Sequence, residues 1–588
     1  MVVSDKNTTP KVGGSFLIGR HAAEDVLIPE AMDDELRMMG QSAQQFVERE
    51  IKPVAGELEA LSYELSVEKM RKAGEQGLLG VDVPEQYGGI EASKAASMLV
   101  TEKLAASGSF NVTFNAHAGI GTLPLVYFGT PEQQARYLPR LVSGEWIAAY
   151  CLSEPGSGSD ARAAKTRAVL DEAGTHFVLN GTKMWISNAG FADLFTVFAQ
   201  VPGPNGDQFS AFLVERTTPG LDFGAEEKKM GIKGSSTRQV ILEGVRVPRD
   251  NLLGEIGKGH HIAFGILNLG RLKLAAGAVG GCKEMMKFAV EYALEREQFG
   301  QPIAGFGLIQ EKIGRMAADS FALESAVYRL SGALDERLVG AGTQAERLEA
   351  TDEYVVEYSL IKVAGSEILD DVIDETLQIF GGNGYSAEYP IELAYRNSRI
   401  NRIFEGTNEI NRLLTAGQLL RRAMKGRLGL LAAAQEAMQG GPLAEVEAPE
   451  VLQDAVLAME NAKRAALLVA GLGAMAYMQE VEHEQEVMAR VADMVTGIYL
   501  AESALLRAER LLGGGRGETA ALLARLGAFA VVDRARRLGV EALRRIPNGA
   551  EVMSKLMAYL PEHGVDLIAL RRSGAQASYD AGGYPLAS

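Results

Sequence analysis

Cysteine is almost absent: Cys151 and Cys282 are the two in 588 residues. That excludes a disulfide framework and a cysteine-rich metal site. Histidine is nearly as sparse, with seven residues and no HExxH-type spacing. Adjacent residues on a helix are expected to point in different directions, so the one close couple, His260–His261, reads as structural or surface. No resident metal is expected. Cations are in deficit, 59 Lys and Arg against 76 Asp and Glu, for a net charge of −17. Phosphate binding needs clustered cations, so a broad nucleic-acid surface is excluded. Long apolar runs are missing too. The longest, Ala465 to Met478, is too short to span a bilayer and carries small residues at helical spacing. The opening MVVSDKNTTPKVGGSF has neither the apolar core of a signal peptide nor the Arg-rich, acid-free character of a transit peptide. A soluble, cytoplasmic protein is the expectation.

What is present is a chain too long for one hydrophobic core, with an ordinary globular balance of 47% hydrophobic and 23% charged residues. After an N-terminal extension (1–30), residues 31–149 follow helical spacing, as in Leu36, Met39, Gly40, Ala43 and Phe46. Between 150 and 261 the texture becomes that of a small antiparallel β domain. Strands are predicted at Phe191 to Val201, Phe209 to Val214 and Gln239 to Val247, and Asn180-Gly181 predicts a type I′ hairpin turn. Helical periodicity returns over 262–422, where Met285, Phe288, Ala289, Tyr292 and Ala293 share one face. Residues 423–449, rich in Ala, Gly and Pro, read as a linker, 450–572 as a further helical domain, and 573–588 as a flexible tail. The fold class is therefore mainly α with a central antiparallel β domain.

Five segments carry candidate chemistry. Tyr150 to Asp160 is a Ser/Gly loop whose N–H groups and hydroxyls suit a flat polar ring or a phosphate. Met184-Trp185-Ile186-Ser187-Asn188 sets an indole beside a hydroxyl, although a core Trp is the ordinary reading. Arg296 to Gly300 ends a long helix, and Gln378 to Tyr385 follows another with glycines that permit close backbone approach. Ordinary helix C-caps explain these two equally well in isolation. In Ile403 to Ile410, Thr407 or Asn408 can cap the next helix. Glu405 stands just before that cap, between an aromatic and a glycine. Partial burial there raises a carboxylate's pKa toward that of a working base.

In this order and at this spacing, the five segments resemble the acyl-CoA dehydrogenase family over roughly residues 31–420. The resemblance is nearest to its very-long-chain-type members, which carry an extra C-terminal helical domain. EKKMGIK (227–233), GVRVP (244–248) and FGLIQEK (306–312) support that subgroup. The resemblance implies the family's three-domain fold and FAD-dependent desaturation of fatty acyl-CoA to trans-2-enoyl-CoA, as in β-oxidation. It implies flavin or substrate contacts at Tyr150, Leu152, Ser153, Gly158 and Ser159, with Trp185, Ile186 and Ser187 lining the ring. Arg296, Gln298, Phe299, Gln378, Ile379, Phe380, Gly381 and Gly382 would approach the adenine half, from a neighbouring protomer. Thr407 and Glu409 match further flavin positions, and Asn268, Arg271, Phe404 and Gly406 match substrate positions. Asn111 and Asn115 align with the pocket floor, which implies a medium-to-long optimum. Glu405 matches the base. Some members place that base on the long helix, but the matching residue here is Gly270, which cannot take a proton.

The same resemblance implies electron-transferring flavoprotein as acceptor and a homodimer. An acyl-CoA oxidase or a redox-silent scaffold on the same fold is the rival reading. A peripheral membrane contact at Arg421, Arg422, Lys425, Arg427 and Leu428 to Ala434 competes with a plainer role, in which the cations complement a helix dipole. The plainer role is favoured.

Overall fold

The computed structural model describes residues 11–441 and 443–587. The chain divides into two compact units, one of Asp33–Lys273 with Arg337–Asp352, the other of the N-terminal residues to Met32 with Leu274–Glu336 and Glu353 onward.

The first unit opens with helices begun by side-chain caps. Asp33 accepts from the Leu36 N–H at 2.9 Å, and Thr130 with Gln133 forms a reciprocal capping box. The sheet follows, with β1 at Ala148–Cys151, β2 at Arg167–Leu170, β3 at His176–Ser187, β4 at Leu194–Gly203, β5 at Gly206–Glu215, β6 at Leu221–Phe223, β7 at Thr237–Pro248 and β8 at Leu252–Leu253. Its order is β6-β7-β3-β2-β4-β5-β8, with β1 beside β4. Most pairs are antiparallel, but β1 and β2 run parallel to β4, so the sheet is mixed. Phe177, Phe195, Phe198 and Phe212 are wholly or almost wholly buried.

The hairpin expected at Asn180-Gly181 is not there. Both residues lie inside β3, at a bulge against β7 between Leu179 and Gly181. Gly181 is required by close approach, since a Cβ there would stand 2.4 Å from Thr166 Oγ1. The β2–β3 turn comes earlier, where the Asp171 carboxylate accepts from the N–H groups of Thr175 and His176.

The helix Gly259–Glu295 runs on from the first unit into the second. Among the described residues it alone is long and apolar enough to cross a membrane, and it is mostly buried in the fold. The second unit continues with Gly307–Val339, whose last three residues count with the first unit, and with Val355–Phe380, Asn408–Met424, Gln453–Tyr477, Gln485–Leu511 and Gly517–Arg545.

Two boundaries need correcting. The linker 423–449 contains a helix, Leu430–Gln439, whose Leu430, Ala434 and Ala437 are buried. Arg422 is engaged with Glu353 and the Gly13 carbonyl, so the cationic stretch is partly used up inside the unit. The tail 573–588 is no frayed end. Helix Leu567–Ala581 covers its first half, and Tyr584 and Leu586 beyond it are buried. Glycine makes that packing possible: a Cβ on Gly314 would lie 2.0 Å from the Arg571 carbonyl oxygen.

Candidate active site

In the first unit the Ser/Gly loop stands on a buried ion pair. Lys183, fully buried on β3, donates to Glu154 Oε1 at 2.7 Å and to the Leu152 carbonyl at 3.3 Å. The Glu154 carboxylate also accepts from the N–H groups of Lys165 and Thr166 at 2.6 and 3.1 Å. Burial alone would raise this carboxyl, but the Lys183 charge and these hydrogen bonds carry it below its ordinary value. Burial in turn lowers the Lys183 ammonium, against the Glu154 charge.

The loop is tied to β3 directly, as the Met184 N–H donates to the Ser153 carbonyl at 2.9 Å. Between Lys183 and Ile186 the strand bulges, and Trp185 takes φ +61°. A bulge re-aims one side chain while the ladder continues on either side. Trp185 is thereby left 56% exposed, whereas Ile186 returns to the core. Gly158 and Ser159 are exposed and Ser153 and Ser187 half-buried. Tyr150 and Leu152 are buried, and the Tyr150 hydroxyl donates to the Ala263 carbonyl.

Asn268 and Arg271, one turn apart on the long helix, are also buried, and Arg271 Nη1 donates to Asn268 Oδ1 at 2.9 Å. Little of either side chain remains for a substrate to touch in this conformation. Asn111 and Asn115 are both half-buried: Asn115 Nδ2 donates to Asn111 Oδ1 at 2.7 Å and to its carbonyl at 3.0 Å, while Asn115 Oδ1 is buried without a hydrogen-bond partner among the described residues.

In the second unit, Glu405 has φ +58°, a left-handed conformation that costs a non-glycine residue about 1–3 kcal/mol unless its surroundings hold it. Two buried side chains do so. Lys362 donates to the Gly406 carbonyl at 2.7 Å and to Asn408 Oδ1 at 2.8 Å. Asn411 Nδ2 reaches the carbonyls of Glu405, Gly406 and Thr407 at 3.3, 2.8 and 3.1 Å. Thr407 caps helix Asn408–Met424 through its hydroxyl, which accepts from the Ile410 N–H at 3.3 Å. Phe404 and Gly406 are half-buried and Glu409 exposed. The first-turn N–H of Glu409 lowers its own carboxyl, as an anion at a helix N-terminus should be.

The remaining candidates form an outer group in this unit. Arg296 and Gln298 are exposed around a two-stranded hairpin whose tip, Phe299, is 93% exposed. Gln378, Gly381 and Gly382 are exposed, with open space where a Cβ on either glycine would stand. Ile379 and Phe380 turn inward, so only their backbone is on offer. Phe380 stacks on Tyr292 with ring centroids 4.0 Å apart, and Asn383 donates to the Tyr292 hydroxyl, which fixes the glycine turn.

Sequence reasoning passed over Glu154, Lys183, Lys362, Asn408 and Asn411 as working parts. A clue existed for Lys362, the one cation in the largely apolar stretch Val355 to Ala364, because lysine is almost never fully buried without partners. Nothing local marked Lys183 or Asn411.

Comparison with known proteins agrees along the chain. Residues 33–145, 149–245 and 257–420 match the acyl-CoA dehydrogenase N-terminal, middle and C-terminal domains, and residues 461–559 match a further acyl-CoA dehydrogenase C-terminal domain. A probable acyl-CoA dehydrogenase of Bacillus subtilis is 49% identical over 87% of this chain and 86% of its own. The human mitochondrial very long-chain specific acyl-CoA dehydrogenase is 38% identical over 75% of this chain and 70% of its own. Among solved structures, the acyl-CoA dehydrogenase of Bacillus anthracis complexed with FAD superposes with a TM-score of 0.94 at 44% identity, over 97% of this chain and 99% of that one. The chain belongs to the acyl-CoA dehydrogenase family.

Proposed function

We propose that Glu405 is the catalytic base with which this acyl-CoA dehydrogenase, a flavoenzyme, converts a fatty acyl-CoA to its trans-2-enoyl-CoA. The observation that carries the reading is the turn itself. A residue in a left-handed conformation, at the mouth of a capped helix, sits in a turn whose carbonyls accept from two buried side chains, Lys362 and Asn411. Strain kept in place this way is characteristic of working sites.

The residues suit FAD. Trp185 offers an exposed ring, Ser153 and Ser187 offer half-buried hydroxyls, and the open positions at Gly158, Gly381 and Gly382 allow close approach of a bulky ligand. When bound, FAD supplies the acceptor for the β-hydride. Glu405 takes the α-proton onto a carboxylate oxygen, and its backbone N–H polarises the thioester carbonyl. Trp185, Ser187 and Ser153 orient the ring, Thr407 and Glu409 make further flavin contacts, and Phe404 and Gly406 border the substrate.

Electron-transferring flavoprotein is the proposed acceptor and a homodimer the proposed assembly. The exposed Phe299 hairpin and Tyr385, 85% exposed, support a subunit contact, which light scattering tests. Activity is tested by anaerobic titration with acyl-CoAs of graded length. Bleaching of the bound flavin supports the reading, and a protein that stays colourless with added FAD overturns it. Rapid recolouring when oxygen is admitted would make the enzyme an oxidase.

A further inference from the structure

The helix after the Glu405 turn carries a second bracing residue. Arg412 donates through Nη2 to both carboxylate oxygens of Glu367, at 2.7 and 2.9 Å, and through Nε to Asp493 Oδ1 at 2.7 Å. Glu367 Oε1 also accepts from Asn408 Nδ2 at 3.1 Å. Asn408 Oδ1 accepts from Lys362, which holds the Gly406 carbonyl. Asp493 lies on helix Gln485–Leu511, within the stretch that matches the added C-terminal domain. An unbroken run of hydrogen bonds therefore leads from the added domain to the peptide beside Glu405.

We propose that Asp493 is a positioning residue, through which the added domain sets the turn that presents Glu405. The proposal rests on the reading of Glu405 as base. A guanidinium is a planar fork with fixed donor directions, so anchoring one edge orients the other. Asp493 anchors Nε, which aims Nη2 at Glu367, and Glu367 in turn orients the Asn408 amide. The Arg412 and Asp493 side chains are only 15% and 11% exposed, so water is a poor substitute for either. The charges are matched: Arg412 lies between two carboxylates, and Arg534 stands 3.9 Å from the far oxygen of Asp493.

The test is Asp493→Asn in the full-length flavoprotein, read by anaerobic single-turnover flavin reduction at saturating acyl-CoA. The reduction rate should fall roughly 3- to 30-fold, while flavin content and acyl-CoA Kd stay within about twofold. Asp493→Glu should restore most of the rate. In an Arg412→Met background, Asp493→Asn should have no further effect. An unchanged rate, additive losses, or a loss confined to Kd would overturn the proposal. Should Asp493→Asn not fold, Arg412→Lys keeps the charge but loses the fork, and must show the same loss of rate at unchanged Kd. Glu405→Gln is the control. If it too reduces flavin normally, the base reading has failed; if it alone is inert, only the positioning role falls.

Discussion

Asn411 donates its side-chain amide to the Gly406 carbonyl at 2.8 Å and lies within reach of the carbonyls on either side. One buried donor thus serves three successive carbonyls of a turn that contains a left-handed glutamate. Asn411→Ala should destabilise the protein by about 1–3 kcal/mol, because those carbonyls lose a shared partner where water is scarce. It should also slow flavin reduction by up to about tenfold through a misplaced Glu405. Urea unfolding and stopped-flow reduction check the two effects separately.

The Lys183–Glu154 pair gives a charge prediction. Lys183→Met leaves a carboxylate buried beneath the Ser/Gly loop and should cost about 3–5 kcal/mol, whereas Lys183→Met with Glu154→Gln should recover much of it. Flavin retention should follow the same order, measured by absorbance after gel filtration.

Tyr584 donates to Glu324 Oε2 at 2.6 Å, and Glu324 is also paired with Arg507 and Lys283. Tyr584→Phe should cost about 1–3 kcal/mol, and a chain ending at Arg572 considerably more. A frayed tail would leave the unfolding midpoint unchanged in both.

Glu357 supplies a pH dependence. It is buried, accepts from the Gly14 N–H at 2.7 Å, and is pushed up to about 7 by burial, against the opposing charges of Arg422 and Arg329. Its ordinary value is 4.5. Between about 4.5 and 7 the unfolded chain therefore binds fewer protons than the native one, and stability falls as pH rises. Above about 7 the loss is complete and the slope vanishes. His21 acts in the opposite direction, since burial lowers it to about 4 and its contribution is lost on acidification. The difference between wild type and Glu357→Gln isolates Glu357: in urea unfolding it should change by up to about 3 kcal/mol from pH 5 to pH 8.

Much of this was legible in the sequence where the signal is local. The Thr407 cap and the helical stretches either side of the β domain follow from short-range rules, whereas a core Trp is the ordinary reading at Trp185 and only the bulge between Lys183 and Ile186 turns it outward. Asn180-Gly181 misled because the same dipeptide serves a tight turn and a β-bulge, and only the packing of Thr166 against Gly181 distinguishes them. The tail misled because small residues suit both fraying and close helix packing, as where a Cβ on Gly574 would stand 3.4 Å from Gly314 Cα. Lys183 and Lys362 find their partners 29 and 44 residues away or more distantly in sequence, so no spacing reveals them. Candidates such as Arg271 and Ile379 match by position, yet burial limits what their side chains can reach.

The central claim is that Glu405 takes the α-proton, and Glu405→Gln tests it most directly. The change is nearly isosteric. Lys362 and Asn411 donate to backbone carbonyls of the turn, and Lys362 also to the Asn408 side chain, all of which the variant keeps. The protein should remain yellow, folded and able to bind acyl-CoA. In anaerobic single turnover at saturating substrate, flavin bleaching should slow by about 10²–10⁴-fold or more, the usual worth of a positioned base. Bleaching within a few-fold of the wild-type rate would contradict the account.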